Sequence, residues 1–274
     1  MSTLTFDHKA TGYGLPHARC LAEAADLAYK DERTVRQRLT EWGFDQVRVF
    51  TVPFSASFPI QDTQAYVAAS DQMMIVAFRG TEARQIRDWL SDGGAVMMPY
   101  PGGKGLVHLG FHQALEAAWP QIRQAVQDLR DREQSLWFTG HSLGGALAML
   151  AAARLHFDEP RLLADGVYTF GQPRTCDPTL AAAYDQALKG RVFRFVNNND
   201  IVAQLPPAPV YAHVAAERYI DSRGKIHDKR PGGLLGGLAD QARGHLADPL
   251  APGTDGIADH AIARYITHLT RATG

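Results

Sequence analysis

The chain has 274 residues, 45% of them apolar and 21% charged, with a formal net charge of −1 at pH 7. That length allows one large domain or two small ones, with a core that needs no covalent staples. The near-neutral charge offers no basic field for nucleic acid and no polybasic patch for an anionic membrane, so no nucleic-acid partner is expected.

The opening stretch, MSTLTFDHKATGYGLPHARC, lacks the basic start and apolar core of a secretory signal. The longest apolar run, ALAMLAAARL, is too short to span a bilayer. The cytoplasm is therefore the default location, with export by a signal-less route left open. CLAEAADLAY reads as a helix. DERTVRQRLTEWG reads as another, with Asp31 as N-cap, Gly43 as stop, and Val35, Leu39 and Trp42 on one face. Strands follow at QVRVFTV (46–52), AYVAAS (65–70) and QMMIVAFRG (72–80), the last two joined by a tight turn at Ser70-Asp71. A long irregular piece runs from Thr81 to about Leu109. FHQALEAAWPQIRQAVQDLRD is helical, and Pro120 is expected to kink it or to begin a second segment. Strand SLWFT, helix LGGALAMLAAARLH, strand GVYTF (166–170), helix TLAAAYDQAL and strand RVFRFV (191–196) come next. VYAHV and ERYID read as a hairpin, Ser222 to about Asp255 as a loose section, and DHAIARYITHLTRA as the last helix. Cys20 and Cys176 match neither a disulfide framework nor a metal quartet and read as buried thiols. Strands alternating with helices argue for an α/β domain, a parallel sheet covered on both faces. Its chemistry is then expected at the carboxyl ends of the strands.

Gly140-His141-Ser142-Leu143-Gly144 has the G-x-S-x-G spacing, set between a strand and an alanine-rich helix. A turn this sharp strains the backbone at the serine and projects its hydroxyl outward. A serine hydroxyl is a poor nucleophile unless a histidine takes its proton and a carboxylate holds that histidine's tautomer. His141, adjacent in sequence, points elsewhere and reads as structural. The expected chain order is serine, acid, histidine. Asp200 closes RVFRFVNNND directly after a strand, where three asparagines make a turn. Asp177 is the runner-up, while Asp158, Asp165 and Asp185 lie at the wrong end of their units. Of the later histidines, His213 falls inside a strand candidate, and His227 and His245 fall in the loose section. His260 opens the last helix, a junction that places a side chain over a sheet edge. His268 lies about 12 Å further along that helix and cannot serve the same serine. The candidates are therefore Ser142, Asp200 and His260.

Acyl transfer also needs donors for an oxyanion. One is the backbone N–H of Leu143, after the serine. The other comes from the loop after an early strand, which points to Thr81 at the end of IVAFRGT. Arg79 is expected to pair with a carboxylate and brace the turn. Apolar residues among glycines and prolines over about 82–105 suggest a movable cover. The glycines of RPGGLLGGLADQARGHL hint at a second flap.

VAFRGT, VHLGFHQA, FTGHSLGGALAML, TFGQPR, FVNNNDIVAQLPP and DHAIARY, in that order, resemble the class 3 lipases, a branch of the α/β-hydrolase fold. LAYKDERTVRQRLTEWGF is similar to the N-terminal region of bacterial members. The resemblance implies one α/β-hydrolase domain over 1–274, with a mostly parallel central sheet, helices on both faces and a lid at about 82–105. It implies a serine ester hydrolase acting on acylglycerols or other fatty-acyl esters, with no required cofactor. It assigns Ser142 as nucleophile, Asp200 as acid, His260 as base, and Thr81 and Leu143 as oxyanion donors. Two further functions use the same scaffold: phospholipase action on membrane lipids, and a catalytically silent binding protein.

Overall fold

A computed structural model describes residues 6–53, 62–91, 95–159, 162–230 and 254–274. In chain order, α1 (Leu15–Leu27) and α2 (Glu32–Glu41) precede β1 (Gln46–Pro53), β2 (Asp62–Ala69) and β3 (Met73–Phe78). Then come α3 (Ala83–Ser91), β4 (Met97–Pro99), β5 (Leu106–His108), α4 (Leu109–Leu129), β6 (Ser135–His141) and α5 (Leu143–Asp158). β7 (Gly166–Phe170), α6 (Pro178–Ala187), β8 (Val192–Asn197), a 3₁₀ turn (Val202–Gln204), β9 (Glu217–Ile220) and β10 (Ile226–His227) follow. Two helices, α7 (Thr254–His260) and α8 (Ile262–Thr273), end the described chain.

The main sheet runs β1-β2-β3-β6-β7-β8-β9-β10. β1, β2 and β3 form an antiparallel meander. From β3 through β6, β7, β8 to β9 every pairing is parallel, and β10 closes the edge antiparallel. All six residues of β3 are buried, as expected of a strand covered on both faces. They alternate between layers: Met74, Val76 and Phe78 join the core under α4 and α5, while Met73, Ile75 and Ala77 join the core under α1 and α8. β6 repeats the pattern, with Leu136 and Phe138 on the first side and Trp137 on the second. α5 is buried along nearly its whole length, which is why it is alanine-rich and apolar all round.

The structure departs from the sequence expectations in five places. α1 begins at Leu15, five residues before Cys20, because Pro16 sits in the first turn, where its missing N–H costs nothing. The stretch from Thr81 to Leu109 is regular over much of its length. Ile86 and Leu90, four apart, give α3 a buried stripe, and β4 and β5 pair across a turn with Gly102 and Gly103 at positive φ. Helix α4 runs through Pro120 as a single element. VYAHV does not form a hairpin with ERYID: Ala212 bridges Cys176, and β9 pairs with β8 and β10 instead. The last helix is two, because Ala261 takes an extended ψ of 126°. His260 therefore closes a short helix; it does not open the long one. Most of the loose section and of the second flap, including His245, lies outside the described residues.

Candidate active site

β6 delivers Ser142 at its carboxyl end. The residue sits at φ 59° and ψ −128°, a sparsely populated conformation that costs about 1–3 kcal/mol and persists only where the surroundings enforce it. The enforcement is visible. Ser142 N–H donates to the carbonyl of Phe170 on β7 at 2.9 Å, and its own carbonyl accepts from Gly145 N–H at 3.0 Å to start α5. Gly140 lies against the backbone of Gly144, so close that a Cβ there would overlap it. Strand and helix can cross at this angle only because both positions are glycine.

β8 delivers Asp200 through Asn197, Asn198 and Asn199. The carboxylate is fully buried. His260 Nδ1–H donates to it, 2.9 Å from each oxygen. The Tyr265 hydroxyl donates to Oδ2 at 2.6 Å, and the backbone N–H of Val202 to Oδ1 at 2.9 Å. Burial alone would push this carboxyl's pKa up; the His260 charge and the hydrogen bonds from His260 and Tyr265 outweigh it and hold it below the ordinary value. Burial, reinforced by the Asp200 charge, keeps Tyr265 well above its ordinary value and hence a donor. With Nδ1–H committed to Asp200, a neutral His260 ring has its lone pair on Nε2, the form a general base requires.

The asparagines do more than turn the chain. The Asn197 side chain donates to the Asp259 carbonyl at 2.9 Å, the Asn198 side chain to Asp259 Oδ2 at 2.9 Å, and the Asn199 N–H to the same oxygen at 3.3 Å. Arg264 holds Oδ1 at 2.7 Å. Asp259 immediately precedes His260, so the turn bearing the acid is laced to the helix bearing the histidine. Gly171, at φ 60°, lies where a Cβ would stand 2.6 Å from Asp200 Oδ2 and 2.8 Å from His260 Nδ1.

Ser142 Oγ and His260 Nε2 are both buried and have no hydrogen-bond partner among the described residues. Such contacts are often long before substrate binds and tighten in the complex. Thr81 and Leu143 line one cavity of about 320 Å³ together with Tyr29, Gln64, Arg79 and Gly80. As the first residue of α5, Leu143 has an N–H that no helix carbonyl can accept. Arg79 braces its turn through an amide: Nη1 donates to Gln64 Oε1 at 2.6 Å, and among the described residues no carboxylate pairs with it. α3 packs against the 3₁₀ turn and α7, which ends at His260.

The rejected alternatives have other employment. Asp177 caps α6, accepting from Leu180 N–H at 2.8 Å. Asp165 accepts from Leu136 N–H, and Asp185 from Ala215 N–H. His213 Nε2–H donates to the Ala203 carbonyl at 2.7 Å, and His227 pairs with Asp221. Cys20 and Cys176 are buried, and burial pushes both thiols up to about 12. Tyr265 and Asp259 escaped the sequence reading. Both lie near His260 in the chain, but the partners that give them a role lie far from them in sequence: Asp200 is 65 residues from Tyr265, and Asn198 is 61 residues from Asp259.

The class 3 lipase family model matches residues 75–210. A lipase of Caenorhabditis elegans is 32% identical over 207 residues, covering 71% of this chain and 56% of the relative. A lipase of Rhizomucor miehei is 37% identical over 169 residues, covering 59% of this chain and 46% of the relative. The chain thus spans about half the length of these relatives. A solved triacylglyceride lipase of Rhizomucor miehei superposes with a TM-score of 0.59 at 29% identity, over 77% of this chain and 81% of that one. The fold and the match across β3 to the turn after β8 place this chain in the class 3 lipase family.

Proposed function

We propose that the chain is a serine carboxylic ester hydrolase, a lipase that cleaves acylglycerols or other fatty-acyl esters. Ser142 attacks the ester carbonyl while His260 Nε2 takes the hydroxyl proton. The N–H of Leu143 and the Thr81 loop receive the oxyanion. The tetrahedral intermediate collapses, His260 gives its proton to the departing alcohol, and an acyl-Ser142 ester remains. Water, deprotonated by His260, releases the fatty acid and restores Ser142. Asp200 holds the histidine's tautomer and stabilises the imidazolium formed at each step.

The observation that carries this reading is the buried Asp200–His260 pair, 2.9 Å between Nδ1 and the carboxylate, set beside a serine in a strained strand-to-helix elbow. The names of the relatives support the substrate class. One domain over 1–274 and a lid at about 82–105 belong to the same proposal; the buried Ile86 and Leu90 of α3 and its packing over α7 support the lid. A bacterial placement within the family rests on the likeness of Leu27–Phe44 alone.

Hydrolysis of p-nitrophenyl esters, with fluorophosphonate labelling of Ser142, tests the reading. A Ser142→Ala variant with full activity refutes it. Mixed micelles of phospholipid and acylglycerol, with products separated, assign the preferred lipid. Failure of the pure protein to take the probe would favour a silent scaffold.

A further inference from the structure

His141 precedes the serine and has no role in the steps above, yet it is 5% exposed and both ring nitrogens are engaged. Nε2 lies 2.6 Å from the backbone carbonyl oxygen of His260, and Nδ1 lies 2.8 Å from the hydroxyl of Tyr29. A carbonyl only accepts, so the proton sits on Nε2. Nδ1 of the neutral ring then accepts from the Tyr29 hydroxyl. The His141 and His260 rings lie 4.4 Å apart. Burial, then the neighbouring His260, hold His141 down to about 3. The ring beside His260 thus stays uncharged and does not oppose the imidazolium that forms there.

Tyr29 also touches the other side of the site. Arg79 lies 5.8 Å over its ring. Gly80, one residue before Thr81, packs so closely on the Tyr29 hydroxyl and the His141 carbonyl that a Cβ would overlap both. The same Cβ would stand 3.1 Å from Ser142 Cβ. One phenol therefore meets the oxyanion loop directly and the backbone of His260 through a single imidazole.

We infer that Tyr29 and His141 are positioning residues that hold His260 in register with the Thr81 loop. The inference rests on the reading of Ser142 as nucleophile and His260 as base. Its reach is kcat: misplacing a base by about 1 Å costs up to about 100-fold, while ester binding is untouched.

The test uses the full chain with His141→Leu, His141→Gln and Tyr29→Phe. kcat and KM are measured on a soluble p-nitrophenyl ester and expressed per fluorophosphonate-titrated site. His141→Leu is expected to lower kcat about tenfold or more with KM within about twofold. His141→Gln, whose terminal amide N–H reaches the His260 carbonyl, is expected to recover to within about threefold of wild type. Tyr29→Phe, which deletes one oxygen, is expected to lower kcat by about three- to tenfold. A His141→Leu enzyme with wild-type kcat per titrated site would overturn the inference, as would a His141→Gln enzyme no better than His141→Leu. Should His141→Leu fail to fold, Tyr29→Phe decides, and an unchanged kcat overturns the inference. Failure of the underlying reading looks different: the wild type takes no probe, or Ser142→Ala retains activity.

Discussion

Asp200 and Ser142 are both fully buried, yet the Asp200 carboxylate accepts from His260, Tyr265 and Val202 while Ser142 Oγ has no partner among the described residues. The acid side is saturated because a buried charge without donors costs several kcal/mol. The serine side is held by backbone geometry, a positive φ and glycine contacts, with its hydroxyl left unspent. Oγ is thereby left free for the one hydrogen bond the reaction needs, from its hydroxyl to His260 Nε2 as substrate binds.

The contrast breaks most sharply at the serine. Ser142→Ala is expected to lower ester hydrolysis by about 10⁴-fold or more while leaving the thermal midpoint within about 2 °C, because no described residue bonds to the lost oxygen; kcat and a melting curve check both. On the acid side activity and stability fall together. Asp200→Asn is expected to cost about 10³–10⁴-fold in kcat, by presenting a donor to His260 Nδ1 and upsetting its tautomer. A urea titration is expected to show lost stability in the same variant.

Acidity separates the two sides further. Burial lowers His141 and His108 to about 3, and His213 well below 6.5. Between about pH 6.5 and 3 the unfolded chain binds protons on His141 and His108 that the folded chain does not, and His213 acts in the same direction. Stability is then full above about 6.5 and falls as pH drops, by up to roughly 3 kcal/mol per pH unit for His141 and His108 together. Asp200, with its depressed pKa, contributes stability that is present above 3.8 and lost only below it. Urea midpoints from pH 7.5 to 5 are therefore expected to decline through the histidines, with the Asp200–His260 pair intact. A smaller effect than at Ser142 or Asp200 is expected from Tyr265→Phe, which strips a donor from Asp200 and takes from the buried Asn197 N–H the phenol it bonds at 3.0 Å. About tenfold in kcat and about 1–3 kcal/mol in stability are expected; kinetics and denaturation on one preparation check the pair.

How much of this was readable beforehand follows from what each feature depends on. β3, β6, β7 and β8 announced themselves because a strand covered on both faces is largely apolar along its length. The elbow announced itself because strand, glycine, serine, glycine and helix are contiguous. Asp200 and His260 were reachable through chain order and the ends of elements. α3 was hidden because Ile86 and Leu90 give too few turns for a periodicity to emerge among the neighbouring glycines and prolines. β9 was misassigned a partner because parallel pairing with β8 is set by distant chain, whereas alternation reports only local pattern. Tyr265, Asp259 and the Tyr29–His141 contact stayed out of view because each gains meaning only across a separation that no local spacing encodes.

The lacing of Asn197, Asn198 and Asn199 to Asp259 has a consequence for tolerance of change. The imidazole is located by what its own helix grips on arrival, the side chains and backbone of the turn that carries the acid. Exchanging Asn197 or Asn198 for alanine, which removes a side-chain donor to Asp259, is expected to lower turnover, whereas the same change at Asn199, which bonds through its backbone N–H, is not.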